Sequence, residues 1–90
     1  MKLNSNCELE QFDDGQSVIY NSQDKKTYIL NETATLILSI TLENPDYSVE
    51  QIKNEYLKYI VSTFELEISD NAENDFDESF SMLKDEQIFI

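Results

Sequence analysis

The chain has 90 residues, of which 19 are acidic and 6 basic, for a formal net charge of −13; 40% are hydrophobic and none is histidine. These numbers support one core and one domain over residues 1–90 and exclude an imidazole base, a His-based triad and a His-containing zinc site. They also make nucleic-acid phosphates and anionic membranes poor partners.

Residues 1–6 lack a basic segment leading into an apolar run, so no signal peptide is expected there and the segment is expected to be flexible. No stretch is apolar for long enough to span a membrane, and a cytoplasmic, soluble protein is expected. Cys7, Leu9 and Gln11 then alternate with Glu8, Glu10 and Phe12, a period-two strand pattern with acids facing water. Asp13-Asp14-Gly15 marks a hairpin turn, and Val18-Ile19-Tyr20 a second strand. Asn21-Ser22-Gln23-Asp24 is a second polar turn, and Lys26-Thr27-Tyr28-Ile29-Leu30 a third strand. Three short strands in series form an antiparallel meander that needs a covering layer on one face.

The cover follows in sequence. Asn31 is placed to cap a helix with Glu32 in its first turn; Ala34, Ile37, Leu38 and Thr41 recur at helical spacing, and Pro45 stops the helix. Ser48 and Gln51 fit a capping box for a second helix, whose apolar stripe reads Val49, Ile52, Tyr56, Tyr59 and Ile60. Residues Phe64 to Ile68 read as an extended connector. Asp70 and Glu73 open a third helix with Ala72, Phe76, Phe80 and Leu83 on one face, and Ile88-Phe89-Ile90 is an apolar tail expected to dock on the core. Strands followed by helices mean an α+β fold: a three-stranded antiparallel meander followed by three helices.

At Leu30-Asn31-Glu32-Thr33-Ala34, followed by Ile37-Leu38, the chain resembles the PqqD family. Ser48-Val49-Glu50-Gln51-Ile52 looks like that family's second-helix signature, and Phe76, Phe80, Leu83 and Ile88-Phe89 like its third. The resemblance spans roughly residues 7–90. Two positions depart from the pattern. Asn44-Pro45-Asp46 stands where a Gly-containing turn is usual, and Gln87 where a Gly often precedes the terminal apolar pair. The resemblance implies a winged-helix-like recognition element for ribosomally made, post-translationally modified peptides. Such domains bind the leader of a precursor peptide and present its core to a maturation enzyme, a radical S-adenosylmethionine protein in the namesake pathway. No cofactor, no metal and no catalysis are then expected of the chain itself, which would act as a monomer or weak dimer.

The third strand is the sharpest site candidate. As the last strand of a meander it is an edge, able to accept an extended peptide as a further strand. The resemblance puts the leader there, in a groove shared with the third helix. Alternation sends Lys26, Tyr28 and Leu30 to one face and Thr27 and Ile29 to the other. Leu30 reads as core, while Tyr28 and Ile29 fit core and groove wall equally. The plain alternative is an edge merely protected by Lys25 and Lys26. Phe76, Phe80 and Leu83 at helical spacing are ordinarily core, Leu83 above all; as groove walls they would be flanked by Asp75 and Ser79.

Seven acids and no base lie between residues 65 and 78. A calcium loop read from Asp70 fails, because Ala72 falls at a ligand position and no Gly makes the turn. The run is a solvated face, or a surface attracting a basic leader or maturation enzyme. Cys7, with no histidine to activate it, reads as a small apolar filler. Two rival functions remain: a winged-helix transcription regulator, disfavoured by the acids of the third helix, and an acidic inhibitor or nucleic-acid mimic.

Overall fold

The computed structural model describes residues 1–64 and 70–89; the connector expected at Phe64 to Ile68 lies outside them apart from Phe64, as does Ile90. Strands β1 (Cys7–Gln11), β2 (Ser17–Asn21) and β3 (Lys26–Leu30) form one antiparallel sheet in the order β1-β2-β3. Helices α1 (Glu32–Glu43), α2 (Val49–Phe64) and α3 (Asp70–Asp85) follow. This is the α+β meander-then-helices arrangement expected from the sequence.

Local chemistry explains the boundaries. Gly15 adopts φ 87°, and the Asp14 carboxylate accepts from the Gln16 N–H at 3.0 Å to close the first turn. In the second turn, carboxamide and carboxylate oxygens of Asn21 and Asp24 accept from the N–H groups two residues on, at 2.9 and 3.0 Å. The Asn31 side chain accepts from the Ala34 N–H at 2.9 Å, capping α1. Ser48 and Gln51 form the reciprocal capping box at the start of α2, with distances of 2.8 and 3.2 Å. At the end of α1, where the resemblance implies a glycine turn, the Asn44 side chain and backbone N–H both donate to the Ile40 carbonyl.

The second departure is resolved differently. Gln87 adopts φ 58°, the left-handed conformation that a glycine takes at no cost. Its N–H donates to the Lys84 carbonyl and that of Ile88 to the Leu83 carbonyl, both at 3.0 Å. Leu83 and Ile88 are both fully buried, completing a Schellman motif that ends α3 and turns the tail into the core.

The core joins Ile19 and Leu30 of the sheet to Ala34, Ile37 and Leu38 of α1, Ile52 and Tyr56 of α2, and the Phe76, Phe80, Leu83 stripe of α3. The tail docks as expected: Ile88 and Phe89 are buried, and the Phe89 ring lies 5.9 Å from that of Phe80. One polar pair is buried between layers, the Ser17 and Thr35 hydroxyls 2.7 Å apart.

The structure corrects one expectation. On α2, Leu57 is buried, whereas Val49 and Tyr59 are each 43% exposed, because the contact face centres on Ile52–Tyr56. Residues 1–6, expected to be flexible, have partners within the fold. Leu3 bridges Phe89, and Asn4 is buried with its N–H on the Ile88 carbonyl at 2.8 Å and its side chain on the Gln87 carbonyl at 2.9 Å. The tail presents these carbonyls once the Schellman turn has formed, a pairing 83 residues long that no local pattern announces.

Candidate functional site

The geometry of the β3 edge follows from hydrogen bonds at either end of the first ladder. Phe12 donates to the Gln16 carbonyl and Ser22 to the Asn6 carbonyl, both at 2.9 Å. Antiparallel ladders alternate between bonded and non-bonded pairs. In the register of β1 and β2, Glu10–Val18 and Glu8–Tyr20 are therefore the bonded pairs, and Ser17 and Ile19 turn their backbone groups toward β3. Their partners Leu30 and Tyr28 point back at β2, which leaves Thr27 and Ile29 with N–H and C=O on the edge that no other described strand pairs.

Side chains alternate as the sequence implies. Leu30 is buried and Tyr28 half-buried beneath the sheet, whereas Thr27 and Ile29 are on the outer face. Ile29 is 77% exposed, so of the two readings open for it the core is excluded. It lies beside its partner Val18, with exposed Tyr20 next along β2, giving the outer face an apolar strip bordered by Glu8 and Glu10. Lys26 is exposed.

Of the α3 candidates, Phe76, Phe80 and Leu83 are 1%, 7% and 0% exposed. They pack in the core. Phe76 is held between Tyr56 at 5.5 Å and Phe80 at 5.6 Å, and Phe80 is closed off by Phe89. The accessible neighbouring stripe of α3 runs through exposed Asp75 and half-buried Ser79 and Met82 to Glu86, at helical spacings of four, three and four residues. Its two ends differ. The Glu86 carboxylate accepts from the Tyr28 hydroxyl at 3.0 Å, with Asp24 a further acceptor at 3.5 Å. Burial, the Glu86 hydrogen bond and the two carboxylate charges push the Tyr28 phenol up to about 12. Asp75, about 16 Å away along the helix, belongs with Tyr56 instead. Burial raises the Tyr56 phenol, Thr33 opposes that shift, and the charge of Asp75 adds to it.

The structure thus brings Tyr28 to the end of α3, sets Thr27 and Ile29 on the open edge, and buries the aromatic stripe. Glu86 and Met82 were not singled out from sequence. The signal was their helical phase with Asp75 and Ser79, hidden because the contact with Tyr28 crosses 58 residues.

Other chemistry is sparse. Cys7 is buried in β1, and burial followed by the charge of Asp24 raises its thiol pKa, in keeping with an inert filler. Among the described residues no three His, Cys, Asp or Glu side chains converge to hold a metal, and no helix is long and apolar enough to cross a membrane.

No protein-family model and no curated protein matches the chain. Two solved structures do. TbiB1 in complex with the TbiA(beta) leader peptide superposes with a TM-score of 0.69 at 19% identity, covering 98% of this chain and 93% of that one. Lasso peptide synthetase B1 complexed with the leader peptide gives a TM-score of 0.69 at 24% identity, covering 97% of this chain and 93% of that one. Over nearly its whole length, therefore, this chain has the fold of two proteins solved with leader peptides bound.

Proposed function

We propose that this chain is a stand-alone recognition element of the PqqD-like kind, binding the leader of a ribosomally synthesised precursor peptide and presenting it to a maturation enzyme. The observation that carries the reading is the open edge of β3, with the Thr27 and Ile29 backbone groups turned outward. The fold shared with two leader-bound proteins supports it. The leader adds as a strand along Lys26, Thr27, Tyr28, Ile29 and Leu30. Side chains on its inner face meet Tyr28 and the Asp75, Ser79, Met82 stripe, while those on its outer face lie beside Ile29. Phe76, Phe80 and Leu83 support this surface from beneath rather than touching the peptide.

The four outward backbone groups of Thr27 and Ile29 give hydrogen bonds of about 0.5–1.5 kcal/mol each, and ordering the free peptide costs about 2–5 kcal/mol. With one or two apolar anchors, the dissociation constant falls on the order of micromolar, weak enough to release a modified peptide. The chain then contributes binding and not catalysis, a reading supported by the absence of histidine and the buried, poorly ionised Cys7 thiol. A DNA-binding role finds less support, since Lys84 is the only base in α3, against Asp70, Glu73, Asp75, Asp77, Glu78 and Asp85.

Amide hydrogen exchange with a synthetic precursor leader peptide tests the reading. The Thr27 and Ile29 amides gain protection on binding, whereas Tyr28, already in the ladder, changes little. Protection appearing elsewhere, with Thr27 and Ile29 unaltered, overturns it.

A further inference from the structure

A second surface lies between α1 and α2. One depression of about 430 Å³ starts at the β1–β2 turn, and another of about 440 Å³ continues it toward Glu43. They share Leu36, Ser39 and Tyr59, so they form one trough along α1. The floor is apolar: Leu36, Ile40 and Ile60 are half-buried and Tyr59 is 43% exposed. The rim is acidic. Asp13, Asp14 and Glu32 border one end, and Glu43 and Glu55 the other. Among the described residues the one base that lines it, Lys58, stands 3.6 Å from the Glu55 carboxylate.

We propose that this trough docks a basic amphipathic helix of a partner protein, separately from the β3 edge. Three arguments select that occupant. Both walls are helices whose backbone groups are bonded internally, so the trough offers no ladder to an extended peptide and suits a segment that satisfies its own backbone. The 12 residues of α1 span about 16 Å, room for about three turns of a helix. The apolar floor between acidic ends then matches a helix with an aliphatic stripe flanked by Lys and Arg, steered by the field of a chain carrying −13. Among the described residues none of β3 or α3 lines the trough, so this inference stands or falls independently of leader binding.

The test uses the full chain, isotopically labelled, and a synthetic helical peptide with leucines along one face and lysines elsewhere. A second peptide of the same composition, permuted to destroy the leucine face, is the control. The expected result is amide shifts centred on Leu36, Ser39, Tyr59 and Ile60, with Thr27 and Ile29 unmoved. Affinity falls about tenfold or more for the permuted peptide and for the double reversal Glu43→Arg, Glu55→Arg at low salt. These reversals are on the trough rim, and the shift map on the unaltered chain gives the answer even if the variant unfolds. Equal binding of both peptides, shifts centred on β3 or α3, or no binding overturns the proposal. So do trough shifts that grow with protein concentration alone, which would make the occupant a second copy of the chain.

Discussion

The Tyr28 hydroxyl donates to the Glu86 carboxylate at 3.0 Å, tying the middle of β3 to the turn that ends α3. This contact sets the spacing between the open sheet edge and the accessible stripe of α3. It also has a pH signature. The phenol is held protonated up to about 12 in the fold, against an ordinary value of 10.0. Between those values the unfolded chain has released this proton and the folded chain has not, so stability present below pH 10 is lost as pH rises through 12. Urea unfolding across this alkaline window should show a steeper loss for the parent than for Tyr28→Phe. Equal slopes would mean that the phenol titrates alike in both states.

Proline separates the two kinds of backbone position in β3. Thr27→Pro and Ile29→Pro remove an N–H that points to solvent, and should keep the fold while weakening leader binding. Tyr28→Pro removes a ladder donor to β2 and should destabilise by about 1–3 kcal/mol. Circular dichroism and denaturant unfolding rank the three; a Thr27→Pro protein less stable than Tyr28→Pro would reverse the assignment of outward groups.

Gln87 occupies a glycine conformation without being glycine. A left-handed backbone costs a residue with a β-carbon about 1–2 kcal/mol. Gln87→Gly should raise stability by about 1 kcal/mol, less the entropy that glycine loses on folding, and shift the melting temperature up by about 4–8 °C per kcal/mol. An unchanged or lower melting temperature would show that the turn is relaxed with Gln in place.

The tail is part of the core rather than an appendage. Phe89→Ala should cost about 3–5 kcal/mol, a large fraction of the 5–15 kcal/mol typical of a domain. Phe12, 47% exposed beside the first turn, is the internal control, and its replacement by Ala should change stability by no more than about 0.5 kcal/mol. Similar midpoints for the two variants in urea would contradict the docked tail.

Cys7 should react slowly with a thiol reagent in the folded protein and rapidly in denaturant, because burial and the Asp24 charge disfavour the thiolate. A native rate matching the denatured one would place the thiol at the surface.

Much of this architecture was legible because its signals are local. The Asn31 cap, the Ser48–Gln51 box and the Gly15 turn each depend on groups within three residues of one another, and each forms as its residue types imply. Periodicity likewise marked Ile37, Leu38 and Leu83 as core, and strand order marked β3 as the edge. The site was read less completely. Periodicity identifies an apolar face but not what covers it. Phe76 and Phe80, candidate groove walls by periodicity, pack against Tyr56 and Phe89.

The sequence by itself determined the elements, their caps and the α+β order, since hydrogen bonds between near neighbours and the repeat of apolar residues are written along the chain. Only the tertiary structure decided that Ile29 faces outward, that Leu57 rather than Tyr59 joins the core, and that Glu86 meets Tyr28. These outcomes depend on ladder register, on how the helices cross and on a contact spanning 58 residues, none of which a local pattern encodes.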